Sequence, residues 1–273
     1  MQPGSKKLDK IAQFPYTVEQ WKSSDAHSLY RLEKSCWAPW LQKSESDFLT
    51  IATKYPKIQR LIRNRIGSVV AAMSVNKINW NGKLETLPSW DTIAGGGIGT
   101  SNFTTTYTSD GNTLCLMSMN VNSNLQGIGL AQKLIEELKN TANTLGAEHI
   151  ISSLRPLDFG EYKLKLLREE KQTISFNDYC NLKNDKGEPY DRWLRSAHHQ
   201  GMRILSVSKN AIVVHVSRKK FDSFVQTYHP LKWIQTSDNS WECGETGTWH
   251  VDNNSATYRE DNLAVEIPLN NTK

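Results

Sequence analysis

The clearest alternation of apolar and polar positions lies between residues 113 and 154. Thr113–Val121 (TLCLMSMNV) is continuous enough in apolar residues to form a buried strand, and His149–Leu154 (HIISSL) predicts another. Residues 127–145 between them have a helical period. Ala131, Leu134, Ile135, Leu138, Ala142 and Leu145 share one face, and Lys133, Glu136, Glu137 and Lys139 lie outside it. Gly146 is placed to cap the helix. Strand, helix and strand make a βαβ unit, whose two strands are expected to be parallel with a right-handed crossover.

The flanking sequence predicts further elements. Residues 17–41 read as helical through Val18, Trp21, Leu29, Leu32, Cys36 and Trp37, with Pro39 as a stop, and 46–55 as a second short helix. Residues 57–63 and 66–78, divided by Asn64-Arg65, read as a hairpin, and 79–112 as mostly loop. Beyond the βαβ unit, 157–188 form an insertion with an apolar helix near 162–167, placed to act as a lid or as a plain surface helix. A compact helix is expected over 189–200, with Tyr190, Trp193, Leu194 and Ala197 buried and Gly201 after its end. Strands are expected at 204–207, 211–217 and 263–269, and a short helix at 221–228. The expected organisation is a flexible segment at 1–15 followed by one α/β domain over 16–273. Residues 16–56 would add helices walling a cleft, and 157–188 and 218–262 would be elaborations.

Composition narrows the partners. The chain has 273 residues, 38% of them apolar, enough for a sizeable core. Its net charge of +5 suits an anionic small ligand, but basic residues gather only in short groups such as Lys6-Lys7 and Arg218-Lys219-Lys220. Nucleic acid is therefore not an expected partner. No apolar run approaches the ~20 residues that cross a bilayer, and the first ten residues lack a signal-like apolar stretch. Cys36, Cys115, Cys180 and Cys243 lie far apart with no metal or redox spacing. These features give the expectation of a cytoplasmic protein with no membrane partner and no metal site. Oligomeric state stays open.

Asn124-Leu125-Gln126-Gly127-Ile128-Gly129 sits between a strand and a strong helix. A helix N-terminus offers unpaired N–H groups and partial positive charge, and glycines let a phosphate approach the backbone. A dinucleotide fold would want glycine where Gln132 stands and an acid where Ser152-Ser153 stand. A nucleoside-triphosphate loop would want Gly-Lys-Ser/Thr, which is absent. A tight turn without a ligand remains open as the plain alternative. Gly95-Gly96-Gly97-Ile98-Gly99 lacks a framing strand and helix and reads as a loop, and Trp241 to Gly247 as a Gly-containing turn.

The turn resembles the Gln/Arg-x-x-Gly-x-Gly/Ala hallmark of the GNAT superfamily of acyl-CoA-dependent acyltransferases, with Asn124 at the first position. The resemblance implies a GNAT fold with a mixed, mostly antiparallel sheet and acetyl-CoA or another acyl-CoA as co-substrate. It implies that Met119, Asn120 and Val121 offer backbone to the pantetheine arm. Asn124, Gln126, Gly127, Ile128, Gly129, Leu130 and Ala131 would then hold the pyrophosphate. Glu33-Lys34-Ser35-Cys36-Trp37-Ala38-Pro39 and Asp191-Arg192-Trp193-Leu194-Arg195 with Gly201-Met202 look like the subgroup that includes the GNAT-like loading domains of curacin-type polyketide synthases, which decarboxylate malonyl-CoA.

In that subgroup the active site is lined by a Trp, a Thr and a His at positions that here read Trp37, Ser153 and Ala197, with His198 next to the last. The implied activity is acyl transfer, with acetyl transfer to an amine first and malonyl-CoA decarboxylation or acyl loading second. A non-catalytic acyl-CoA sensor is the alternative of another class. The partners implied are a small-molecule amine or an acyl carrier protein. Catalytic candidates are Trp37, Ser153 for the thioester oxygen, and His198 and His199 as bases. Arg155 is a candidate for a substrate carboxylate or for a plain salt bridge.

Overall fold

A computed structural model describes residues 16–95 and 106–269. The lead-in at 1–15 and Gly96, Gly97 and Gly99 of the glycine run lie outside the described residues. The chain divides into two compact units. One is built from the described residues of Met1–Leu87 and Thr92–Ile151, and the other from Pro88–Asp91 and Ser152–Pro268.

In the first unit, strands β1 (Thr17–Gln20), β2 (Arg60–Arg63), β3 (Val69–Ile78), β4 (Thr113–Val121) and the first half of β5 (His149–Leu154) are neighbours in that order. The first four pair antiparallel. Helix α1 (Ala26–Cys36) is followed by α2 (Glu45–Lys54), then by the single turn α3 (Trp90–Ile93), where the chain changes unit, and by α4 (Leu130–Thr144). β3 is buried at every position but its first, as a strand covered on both faces must be. Helices α1 and α4 both pack on β3 and β4.

Here the helical expectation over 17–41 is corrected at its start. Val18 pairs with Ile62, and Trp21 Nε1 donates to the Arg60 carbonyl at 2.9 Å. A distant partner strand satisfies this backbone, which the local period does not reveal. The helix begins only at Ala26, after Asp25 Oδ2 accepts from Lys22 N at 2.9 Å. Helix α2 starts as its sequence dictates, with Ser44 and Asp47 exchanging backbone N–H bonds in a capping box.

On α4, Leu134, Ile135, Leu138 and Ala142 are buried as expected, and Ala131 is half-buried. Leu145 is 38% exposed, because the helix ends at Thr144 and Gly146 turns left-handed (φ 64°). Ala147 N then donates to Ala142 O at 2.9 Å, and Ala147 is the residue buried beyond the cap.

The second unit holds the rest of β5 with β6 (Arg203–Ser217), β7 (Ile234–Ser237), β8 (Ser240–Glu242), β9 (Thr248–Val251) and β10 (Ser255–Glu266). Its neighbour order is β5-β10-β9-β8-β7, with β6 antiparallel to β10 along nearly the whole of both strands. The strands expected at 204–207 and 211–217 are one strand. Asn210 adopts φ 48° opposite an irregularity in β10 between Glu260 and Asn262. Asp261 ties the two irregularities together, accepting from Asn210 N and Lys209 Nζ, each at 2.8 Å.

Helices α5 (Phe159–Arg168), α6 (Phe176–Asn181), α7 (Arg192–His199) and α8 (Arg218–Thr227) complete this unit. Helix α7 is capped by Asp191 rather than Pro189, through bonds from Trp193 N at 2.8 Å and Leu194 N at 3.1 Å. Leu194 and Ala197 enter a core with Leu154, Phe159, Phe176 and Tyr179, while Trp193 is only half-buried and Tyr190 is exposed. Among the described residues no helix is long and apolar enough to cross a membrane, and all four cysteines are free thiols.

Gly160 on α5 packs directly against the Gly244 backbone, so that a β-carbon there would overlap the Gly244 carbonyl. Gly160→Ala is therefore expected to destabilise the protein by about 3 kcal/mol through overpacking, read as a lower urea midpoint with an unchanged slope.

Candidate functional site

Strand β4 runs into the turn without a break. Asn122 Oδ1 accepts from Asn124 N at 3.0 Å, and Leu125 N donates to Asn122 O at 2.8 Å, which closes one tight turn. Gln126 is extended, and then Gly127 (φ 77°) and Gly129 (φ 98°) are left-handed before α4 begins at Leu130. At these angles a β-carbon is strained, so both glycines are required by the backbone itself.

The first intrahelical bond of α4 runs from Lys133 N to Gly129 O at 3.0 Å, so Leu130, Ala131 and Gln132 have no N–H partner within the helix. Asn124, Gln126 and Gly127 are exposed, Ile128, Gly129 and Ala131 half-buried, and Leu130 points into the core. No acidic residue stands in the first helical turn. An exposed helix N-terminus of this kind, free of local negative charge, suits a diphosphate.

Beside β4 lies a buried polar network. Lys43 Nζ donates to Glu33 Oε1 at 2.9 Å and to Ser118 Oγ at 3.0 Å, and Lys43 N also donates to Glu33 Oε1, at 3.2 Å. Asn120 Nδ2 donates to Glu33 Oε2 at 2.5 Å, and Trp37 Nε1 donates to Asn120 Oδ1 at 2.5 Å. Glu33 is fully buried (0%), with Lys43 and Asn120 each 4% exposed. An indole N–H only donates and a carboxylate only accepts, so the orientation of the Asn120 amide is fixed without ambiguity. Cys36 Sγ donates to the Val121 carbonyl at 3.6 Å. Burial pushes its thiol above the ordinary range, so it is not a thiolate nucleophile. Trp37, Asn120, Val121 and the glycine turn are thus parts of one unit.

No family model matches the chain, and no curated protein matches it in sequence. Solved structures do. The loading GNATL domain of CurA from Lyngbya majuscula superposes with a TM-score of 0.62 at 16% identity, over 93% of this chain and 98% of that one. This chain has the GNAT fold. The GphF GNAT-like decarboxylase, solved with isobutyryl-CoA, superposes at 0.58 and 18% identity, over 93% of this chain and 100% of that one.

The other candidates of this GNAT fold lie in the second unit. His198 and His199 are on the exposed side of α7, and His199 Nε2 is 2.7 Å from Glu188 Oε1. Ser153, half-buried near the end of β5, has its hydroxyl 3.2 Å from the Asn262 amide, which accepts from it in the orientation that its acceptor neighbours Glu260 and Asp261 require. That buried amide donates in turn to Glu260 Oε1 at 3.0 Å and Asp261 O at 2.8 Å. Asn262 and Glu260 carry no signal in sequence, since each resembles a surface residue.

Arg155 is held by Glu245 and by Glu260 Oε1 (2.9 Å), while the Tyr258 hydroxyl donates to Glu260 Oε2 at 2.6 Å. Burial alone would raise the Glu245 carboxyl, but the Arg155 guanidinium and the Tyr228 hydroxyl outweigh it and hold the group below its usual range. For Glu260 burial wins and the carboxyl is raised. Arg155 is accordingly a salt-bridge residue with its charge already committed. Among the described residues no group of His, Cys, Asp and Glu is arranged to hold a metal ion.

Arg155→Met strands two buried carboxylates and is expected to cost about 3–5 kcal/mol. Their pKa values would then rise above the unfolded-state value of about 4.3, so the variant's stability should fall as pH increases beyond that value. Thermal unfolding between pH 4 and 8 would reveal this; a loss independent of pH would count against it.

Proposed function

We propose that this chain is an acyl-CoA-dependent acyltransferase that transfers an acetyl group from acetyl-CoA to the amine of a small molecule or protein. The observation that carries this reading is the turn between β4 and α4. There two left-handed glycines on an exposed turn lead into a 15-residue helix whose first N–H groups have no partner within the helix and whose first turn holds no acidic residue. Gln126, Gly127, Ile128, Gly129, Leu130 and Ala131 would grip the diphosphate, Asn124 would flank it, and Met119, Asn120 and Val121 would offer backbone to the pantetheine amides.

The chemistry asks little of side chains. The amine nitrogen attacks the thioester carbon, the C–S bond breaks, the amine loses a proton and the departing thiolate gains one. We assign Trp37 to the acyl end. The Ser153 hydroxyl is proposed to exchange its bond to Asn262 for one to the thioester oxygen. His198 or His199 is proposed to take the amine proton, and His199 is the one already held by a carboxylate. His198→Ala and His199→Ala then separate a catalyst from a non-catalytic acyl-CoA sensor, whose properties neither change would alter.

The likeness to a loading domain and to a GNAT-like decarboxylase favours a second reading. In it malonyl-CoA loses carbon dioxide, the resulting carbanion is protonated to acetyl-CoA, and the acyl group passes to a carrier protein. Arg155 has no spare charge for a malonyl carboxylate, which keeps this reading second. Mass spectrometry after incubation with malonyl-CoA decides between them, since acetyl-CoA appears only in the second.

Two substitutions test the cradle. Gly129→Val strains the turn and should weaken acetyl-CoA binding tenfold or more, on the order of 1.4 kcal/mol. Gln132→Glu adds a charge that suits a helix N-terminus but faces Glu136 one turn on and repels a diphosphate, so stability should change little while affinity falls several-fold. Calorimetry with acetyl- and malonyl-CoA measures both. Wild-type protein that binds neither, or variants that bind as tightly as wild type, would remove the reading.

A further inference from the structure

The network beside β4 spends a buried charge pair where neutral packing would fill the space. Glu33 and Lys43 are both almost wholly out of water, a costly arrangement that apolar residues commonly match in stability. What the pair supplies is direction. Lys43 can only donate, Glu33 can only accept, Asn120 does one at each end of its amide, and Trp37 can only donate. The carboxylate therefore forces the Asn120 carbonyl toward the indole. Trp37 follows the last residue of α1 on extended backbone (φ −127°, ψ 146°), and its carbonyl accepts from Gln42 Nε2 at 2.7 Å. The bond to Asn120 ties the half-buried ring to β4.

We infer that Glu33 is a positioning residue for Trp37, acting through Asn120, and that this relay lets the protein distinguish an acyl-CoA from free coenzyme A. The inference rests on the proposed function in taking β4 as the track of the pantetheine arm. Asn120 stands between Met119 and Val121 and ahead of the turn assigned to the diphosphate, so a ring fixed on Asn120 is placed for the thioester end. Its N–H is committed to Asn120, and it meets the acyl group as an aromatic surface.

Changing Glu33 to glutamine alters one atom and leaves the relay without a solution. Lys43 N and Nζ both donate to one Glu33 oxygen, so the new side-chain carbonyl stays with Lys43 and the new amide N–H₂ faces Asn120, whose carbonyl must turn to accept it. The Asn120 N–H₂ then faces the indole N–H, donor against donor. The half-buried indole is the cheapest member to release, because water can take its N–H.

The experiment compares wild type, E33Q, W37F and the E33Q/W37F double variant by calorimetry with coenzyme A and with acetyl-CoA. E33M/K43M joins them in case a stranded Lys43 prevents E33Q from folding, since methionine at 33 offers Asn120 no acceptor and makes the same loss the expected result. E33Q is expected to weaken acetyl-CoA about tenfold, the scale of one buried hydrogen bond, and to leave coenzyme A unchanged. It should cause no further loss once Trp37 is Phe. A second readout needs no ligand: the Trp37 indole ¹H–¹⁵N resonance, identified by its absence in W37F, should move upfield and exchange faster in E33Q.

An unchanged indole resonance overturns the relay. Equal losses for coenzyme A and acetyl-CoA, or losses that simply add in the double variant, overturn its role in discrimination. If wild type binds neither thioester nor coenzyme A, the proposed function and the discrimination fall together, and the resonance alone still decides the relay.

Discussion

The first unit depends on how β4 hands over to α4. Between Val121 and Leu130 the chain must leave an extended strand and enter a helix that packs on β2, β3 and β4 before delivering β5. It does so with two left-handed residues, and only glycine adopts that conformation without strain. The helix they open leaves the N–H groups of Leu130, Ala131 and Gln132 without partners inside it. On the proposed function, a folding requirement and an anion site are one piece of backbone. The glycines alone cannot tell a ligand site from a plain turn. The exposure of the turn and the lack of acidic residues in the first helical turn are what the proposed ligand reading rests on.

Buried carboxylates organise both units, in different ways. Glu33 is matched one-to-one by Lys43, and its remaining oxygen orients an amide. Glu260 shares Arg155 with Glu245, so that cluster holds one carboxylate more than guanidinium, and hydroxyls of Tyr258 and Tyr228 supply the missing donors. The surplus explains why Glu245 is lowered and Glu260 raised around the same arginine. It also removes Arg155 from the groups that could greet a substrate anion. Burying a charge fixes geometry only where each lone pair and proton has a partner, and both clusters come close to that condition.

Local period made the βαβ core legible, because its elements are long and their apolar residues repeat at a spacing the chain itself displays. Strand β1 owes its conformation to β2, about forty residues on, so no window on the sequence contains the cause, while β7, β8 and β9 pair with their chain neighbours but have four residues or fewer, too few to display a period. The break read at Asn210 is real as backbone, yet Asp261, far along the chain, turns it into a paired irregularity within one strand. At the site, the glycine turn was readable from composition and position. Trp37 came only through resemblance. Glu33 entered only as part of the same resembling segment, with no role, and Lys43 and Asn262 were invisible, because a charged or amide residue in sequence looks the same whether it is buried or solvated.

A covalent route through the protein would need a thiol poised as thiolate, and the four cysteines argue against it. Burial raises every one: Cys36 and Cys115, Cys180 to about 12, and Cys243. None opens a helix: Cys36 closes α1, Cys115 lies within β4, Cys180 near the end of α6 and Cys243 between β8 and β9. An acyl group held as a thioester is already activated, and it gains nothing from a second sulfur that is protonated at neutral pH. The proposed function uses direct attack by the acceptor, which asks the protein mainly to hold two ends of one molecule. On this reading the diphosphate is gripped by backbone at the turn, and the acyl end meets an indole whose orientation is fixed by a buried charge.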